Sequence, residues 1–425
     1  MLPNDRNPTK LNTPPDTRFL EYHEARACMD RLFELVSETD WYDRPVPERH
    51  RLVFYLGHVE AFDWNLIGHQ ALERPSFHPT FDRLFAFGID PEAGRLPHDQ
   101  PSDWPSVQEV RRYVHDVRNG LTEILHAVAP FVVDVCIEHR LMHVETFTYL
   151  LHNLSHPLSN GINGHQSEMN CSSPVDHTMI GIPAGTATLG RDRSAANDGN
   201  PDAYAFGWDN EFNEHVVRVP AFAVSKYKVT NGQYLAFVED GAPPPHFWRR
   251  RDGEWHWRTF WGDVPLPLDC PVYVTHHEAR AYAQWAGLAL PTEAQFHRAA
   301  YGTMTGENQI YPWGTAPPTA EHGNFNFQRW DPLPVTATPL GESAFGVAQL
   351  VGNGWEWTDT VFAPFPGFEP FSCYPGYSAP FFDGNHYVLK GGSPCTAARF
   401  LRRSFRNWFR PSYPYVYAGF RCVEN

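Results

Sequence analysis

Residues 136–154 read "CIEHRLMHVETFTYLLHNL", and two histidines, His139 and His143, stand four apart in a run with the apolar spacing of an amphipathic helix. On a helix those positions differ by about 40° around the axis, so both imidazoles share a face and can reach one metal ion. Glu145, two residues past His143, points about 200° away and falls outside that ligand set; a structural role suits it better. Two ligands rarely make a catalytic site, and "FYLGHVEAFDWN" offers a third, His58, in an apolar helical context. Three neutral imidazoles from two helices would leave coordination positions open for substrate and O2. Spacing alone leaves the assignment open. The chain has 22 histidines, and His152 and His156 repeat the same interval, with His152 on the opposite side of the helix from His143.

Around this stretch the first 155 residues predict four helices. "DTRFLEYHEARACMDRLFELVSE" places Phe19, Leu20, Ala27, Leu32 and Leu35 at helical spacing. "PERHRLVFYLGHVEAFDWNLIGHQAL" is the second, with Pro47 near its start. "SVQEVRRYVHDVRNGLTEILHAV" is the third, opened by a capping box of Ser106 and Glu109. The fourth runs from about Pro130 to Leu154 and stops before Pro157. Four such helices fit a bundle over 1–155. Residues 156–176, rich in Ser, Asn and Gly, read as a linker. From 177 to 425 short strand-like pieces ("HVVRVPAFAVSKYKVT", "HYVLKGG") alternate with Pro, Gly and Trp clusters, and one clear helix, "THHEARAYAQWAGL", interrupts them. That half predicts an irregular α+β domain.

Length and composition agree with two globular domains: 425 residues, 42% hydrophobic and 20% charged. A net charge of -15 without a basic stripe argues against nucleic acid as a partner. No run approaches the roughly 18 apolar residues of a membrane span. The stretch "MLPNDRNPTKLNTPPDTRF" lacks the apolar centre of a signal peptide. Seven dispersed cysteines without a CxxC pair predict a reduced, cytoplasmic setting.

The pattern "HRLMHVE", after an upstream "LGH", resembles the HxxxHxE signature of ergothioneine-type sulfoxide synthases, which are non-haem iron(II) enzymes. Their architecture is a DinB-like four-helix bundle followed by a formylglycine-generating-enzyme domain, a relative of C-type lectins. The second half is similar to that domain in its own right: "IPAGTATLGRD", "KYKVTNGQYLAFV", "CPVYVTHHEARAYAQWAGLALPTEAQFHRAA", "YPWG", "VGNGWEWT", "VLKGGS" and "SFRNW" with "YAGFRC" follow in the family's order. The resemblance implies that His58, His139 and His143 bind Fe(II). It also implies that O2 is a co-substrate and that a sulfur donor is joined to C2 of the imidazole of hercynine (trimethylhistidine). Tyr374, in "PFSCYPGYSAPFF", corresponds to a catalytic tyrosine that donates a proton or hydrogen atom, and Tyr377 to one lining the hercynine pocket. Asn407 and Trp408 match positions that contact hercynine, and Arg95, on a loop over the site, is a candidate anchor for a substrate carboxylate. A structural calcium ion in the second domain is also implied, without ligands that can be named.

The chain departs from the family where the donor is held. Enzymes using γ-glutamylcysteine carry an Asp after the Trp and an Arg four residues further on; here these are Phe409 and Tyr413. Met142 replaces the usual polar residue before the second histidine. These changes point to a different donor, either free cysteine or a selenosugar. The wording "FYLGHVEAFDWNL" with "EHRLMHVET" looks most like the selenoneine synthase branch, which favours the sugar. Three rivals stand beside this reading. A formylglycine-generating oxidase needs a second cysteine five residues after Cys395, where this chain has Phe400. A non-enzymatic, lectin-like binding protein would hold no metal. A structural zinc would need a closed fourth ligand, for which Cys136 and Asp63 lie on the relevant helices.

Overall fold

The computed structural model describes residues 17–87, 96–158, 174–193 and 206–425. In the first half, α1 (Arg18–Phe33), α2 (Leu52–Asp63), α4 (Val107–Ile124) and α5 (Pro130–His152) are the four long helices, and α3 (Pro79–Phe87) is a short fifth one. α1 packs along α5, and α2 packs against α3, α4 and α5. α2 is buried along almost its whole length because its sequence, "LVFYLGHVEAFD", is apolar all round. It begins at Leu52, so Pro47 lies in the preceding turns, and it runs on as a π-helical segment from Trp64 to Ala71. α4 starts as expected: the Ser106 hydroxyl accepts from the Glu109 backbone N–H, and the Glu109 carboxylate accepts in return from the Ser106 backbone N–H at 2.9 Å.

α5 differs from the expected amphipathic helix. Asp134, Glu138, Arg140 and His152 are buried together with its apolar residues, so both faces of the helix are covered. The bundle covers one face and the second half of the chain covers the other. α3 was also unforeseen, and places Arg83–Phe87 of the expected loop in a helix.

In the second half, β1 (Met179–Ile182) and β2 (Gly185–Leu189) precede β3 (His215–Val219) and β4 (Phe222–Ser225). Three helices follow, each opened by a Thr capping box: α6 (Asn231–Glu239), in the stretch whose family counterpart is a helix, α7 (His276–Trp285), the one clear helix read from the residues, and α8 (Glu293–Tyr301). A meander of β5 (Trp248–Arg251), β6 (Glu254–Thr259) and β7 (Gly262–Pro265) lies between α6 and α7. The strands that position the site form a four-stranded sheet: β10 (Asn407–Phe409), β9 (Tyr387–Lys390), β8 (Trp355–Val361) and β11 (Ala418–Gly419), in that order. β8 and β11 run parallel and the other pairs antiparallel. β12 (Val423–Glu424) closes a separate sheet beside β4 and β1.

The halves meet along α5. Glu145 accepts from Trp355 Nε1 at 2.7 Å, Ser393 Oγ at 2.6 Å and Thr396 Oγ1 at 2.9 Å. Trp355 and Ser393 belong to the "GWEWT" and "GGS" motifs, so these segments dock on the bundle through a single carboxylate. Burial raises the carboxyl pKa of Glu145, and the three hydrogen bonds work against that.

Candidate metal centre

His58 comes from the middle of α2, and His139 and His143 come from successive turns of α5. Their Nε2 atoms converge: His58 to His143 is 3.1 Å and His143 to His139 is 3.2 Å. One ligand atom of each lies within 4.8 Å of the other two. His58 and His139 are buried and His143 is half-buried.

Local packing fixes each ring. Nδ1 of His58 is 2.6 Å from the Phe85 carbonyl, which can only accept, so Nδ1 carries the proton and the lone pair sits on Nε2. α3 comes this close because Gly57 has no side chain: a Cβ there would lie 2.6 Å from the Phe85 ring. His58 stacks on Phe54 (4.6 Å, 22°) and His139 on Phe62 (3.4 Å, 9°). Tyr55 packs 5.8 Å from His143.

Burial, with the weaker help of the Phe85 carbonyl in opposition, takes the His58 imidazole down to about 4. Burial first, then the neighbouring imidazoles, holds His139 and His143 well below the usual histidine value. All three are neutral near pH 7, the form that binds a metal. Nδ1 of His139 and of His143 are buried without a hydrogen-bond partner among the described residues, so the polar capacity of the set is gathered at the Nε2 focus. Three neutral nitrogen donors crowded within hydrogen-bond distance fit a divalent transition metal, and among the described residues no fourth His, Cys or carboxylate joins the set. Asp63 is not part of the histidine cluster; its Oδ2 accepts from Tyr22 at 2.6 Å and Arg140 at 2.5 Å.

Tyr374 and Tyr377 do face this centre from the second half. The Tyr374 ring meets Phe62 at 5.3 Å and His139 at 6.0 Å, both edge-on. Burial raises its phenol to about 12, so it stays protonated at neutral pH. The Tyr377 hydroxyl donates to Met142 Sδ at 3.4 Å, and its ring stacks on Trp208 at 3.8 Å. Trp408, on edge strand β10, stacks on Phe362 (4.3 Å, 7°) and meets Tyr377 at 5.3 Å. Asn407 precedes it, with Oδ1 accepting from the Trp408 backbone N–H.

Phe409 and Tyr413 stack on each other at 5.2 Å and 11°, and Tyr413 is within electrostatic reach of Tyr55. Arg95 lies outside the described residues. His152, of the second pair, is sandwiched between Phe247 and Phe260 and bonded to Tyr417 and the Arg258 carbonyl, well away from the ligand set. His156 instead joins Asp40 and Asp43 in the helical half. Both three-residue clusters of potential ligands among the described residues therefore lie in the first half, and neither supplies the expected calcium site.

Sequence reasoning missed the Phe85 carbonyl, Phe62, Tyr55 and Trp208. A backbone carbonyl carries no signal in sequence, and aromatic residues in an aromatic-rich chain carry little.

A model described as DinB superfamily matches residues 21–151, and one described as Sulfatase-modifying factor enzyme 1-like domain matches residues 166–425. The hercynine oxygenase of Mycolicibacterium thermoresistibile is 34% identical over 94% of both chains. That of Mycolicibacterium smegmatis is 35% identical over 94% of this chain and 97% of its own. Ergothioneine biosynthesis protein 1 of Neurospora crassa is 28% identical over 92% of this chain and 56% of its own length. None of these names refers to a selenium donor, so the expected selenoneine assignment finds no support in them.

Proposed function

The chain belongs to the family of the hercynine oxygenases and ergothioneine biosynthesis proteins, and is on that ground an oxidative enzyme; we propose that it uses iron(II) and O2 to join the sulfur of a small thiol to C2 of the hercynine imidazole, giving a sulfoxide. The observation that carries the metal assignment is the convergence of three neutral Nε2 donors with no fourth ligand among the described residues. Iron(II), when bound there, supplies open coordination positions at which a thiolate and O2 come together.

The chain's own residues do the remaining work. His58, His139 and His143 hold the metal, and the Phe85 carbonyl keeps His58 in the required tautomer. Phe54, Phe62 and Tyr55 wall the centre and exclude water. Tyr374 holds a proton on its phenolic oxygen beside His139 and gives it up during the oxidation. Trp408 and Tyr377 offer ring surfaces to the trimethylammonium group. Asn407, whose Oδ1 is already used, has its amide N–H groups left to hold the hercynine carboxylate. Phe409 and Tyr413 take the place of a charged donor clamp, which favours cysteine over γ-glutamylcysteine. The six free cysteines among the described residues suit a reduced, cytoplasmic setting.

The test is to load the protein with iron(II) under argon, add hercynine, and admit O2 with cysteine, γ-glutamylcysteine or a selenosugar in parallel, reading products by mass. A sulfoxide adduct from cysteine supports the reading. A selenium adduct from the sugar alone replaces the donor. No adduct from any donor overturns the proposal.

A further inference from the structure

Many of the buried and half-buried cations among the described residues are paired with carboxylates. Arg140 is bonded to Glu60 and Asp63, Arg402 to Glu138 and Glu211, and Lys228 and Arg421 to Glu356. Arg49, half-buried in the turns before α2, has no carboxylate partner among the described residues. Its Nε donates to the Tyr413 hydroxyl at 3.0 Å, and its guanidinium lies over the rings of Tyr413 (5.5 Å) and Tyr149 (5.9 Å). The Tyr413 and Tyr149 hydroxyls are themselves 3.4 Å apart. The two terminal nitrogens make no hydrogen bond to any described residue, and neither is buried.

A guanidinium stays charged at any physiological pH, and its planar fork matches a carboxylate through two parallel N–H···O bonds. Here two tyrosines hold its stem and one ring face and leave the planar fork free. That is the arrangement of a carboxylate receptor awaiting its anion.

The receptor also lies on a definite side of the centre. Tyr55 packs against His143, and Arg49 is within electrostatic reach of both. The aromatic group assigned to hercynine (Tyr377, Trp408) and Tyr374 lie instead toward His139 and Phe62. A substrate bound on the His143 side is therefore the second one, the donor. We propose that Arg49 binds the carboxylate of an amino-acid thiol donor, with Tyr413 and Tyr149 as positioning residues. This rests on the function proposed above and narrows its donor: a neutral sugar would leave Arg49 without an anion, whereas cysteine supplies one.

The test uses the full-length, iron-loaded protein with hercynine and without O2, so that binding is read apart from turnover. Cysteine and cysteamine, the same thiol without the carboxylate, are titrated calorimetrically into wild type, Arg49→Gln and Arg49→Lys. Wild type should prefer cysteine by at least about tenfold, the range of one hydrogen-bonded charge pair. Arg49→Gln should bring the ratio close to one, with Arg49→Lys in between because it keeps charge and loses the fork. An unchanged ratio in Arg49→Gln, no preference in wild type, or tight Arg49-independent binding of a selenosugar would overturn the proposal. Should Arg49→Gln fail to fold, as read by its melting curve, the ratio in Arg49→Lys decides. Admitting O2 to the wild-type sample then tests the reaction separately: an Arg49-dependent preference without any adduct would refute the reaction and leave the receptor standing.

Discussion

Each imidazole of the centre is held by a neighbour as well as by its own helix, and the residue-scale predictions follow from that. His139→Ala removes one of three donors and should abolish both iron binding and hercynine conversion. Phe62→Ala keeps all three donors but frees the His139 ring, which it covers at 3.4 Å; iron affinity should fall about 10- to 100-fold, measured by competition with a chelator. Tyr374→Phe removes a proton without removing a ring. Conversion should drop by about 10² or more while iron stoichiometry stays at the wild-type value. A Tyr374→Phe enzyme with undiminished turnover would remove that phenol from the chemistry. At this scale the shared face of His139 and His143 was legible in helical periodicity, while their joining with His58 as a ligand set came from the family resemblance. The sequence did not expose what orients them, because Phe85 acts through its backbone and Phe62 through a ring stack.

Among the elements, α2 and α5 were legible and their surroundings less so. The capping box of α4 was readable from Ser106 and Glu109 because it depends on a local three-residue interval. Ser106→Ala should therefore cost about 1 kcal/mol in a denaturation experiment. α5 was expected to show one wet face, and periodicity could not reveal that the second half of the chain covers it. Its charged residues Asp134, Glu138 and Glu145 are contacts with that half rather than solvated positions. α3 escaped notice as a short helix within a stretch read as loop, yet it brings the Phe85 carbonyl to His58. Gly57→Ala tests that link. The added methyl would stand 2.6 Å from the Phe85 ring and push α3 away, so iron affinity should weaken even though no ligand has changed.

At the scale of the whole molecule, the ordered motifs over 177–425 announced the second domain, and a Sulfatase-modifying factor enzyme 1-like model matches residues 166–425. Trp355 and Ser393 of two such motifs end on Glu145 of the bundle. A buried charge network reinforces this seam: Arg402 bonds Glu138 of α5 at 2.7 Å and Glu211 at 2.5 Å. Arg402→Met would leave buried Glu211 without its cation and Glu138 with Arg399 alone, and should destabilise the protein by about 3–5 kcal/mol. Inside the bundle, burial pushes the Glu60 carboxyl up, but Arg140, Arg26 and Arg118 outweigh it and bring it down to about 2. A depressed carboxyl gives stability that is complete above its ordinary value of 4.5 and is lost as pH falls toward about 2. Glu60→Gln should accordingly be less stable than wild type at pH 7 and lose less further stability on acidification through that window. The central claim is that three histidines from two helices form one iron centre, and its most direct test is an anaerobic iron(II) titration followed by desalting and iron analysis of wild type and His139→Ala. The account predicts one iron per wild-type chain and almost none in the variant. Equal iron in the two proteins, or none in wild type, would contradict it.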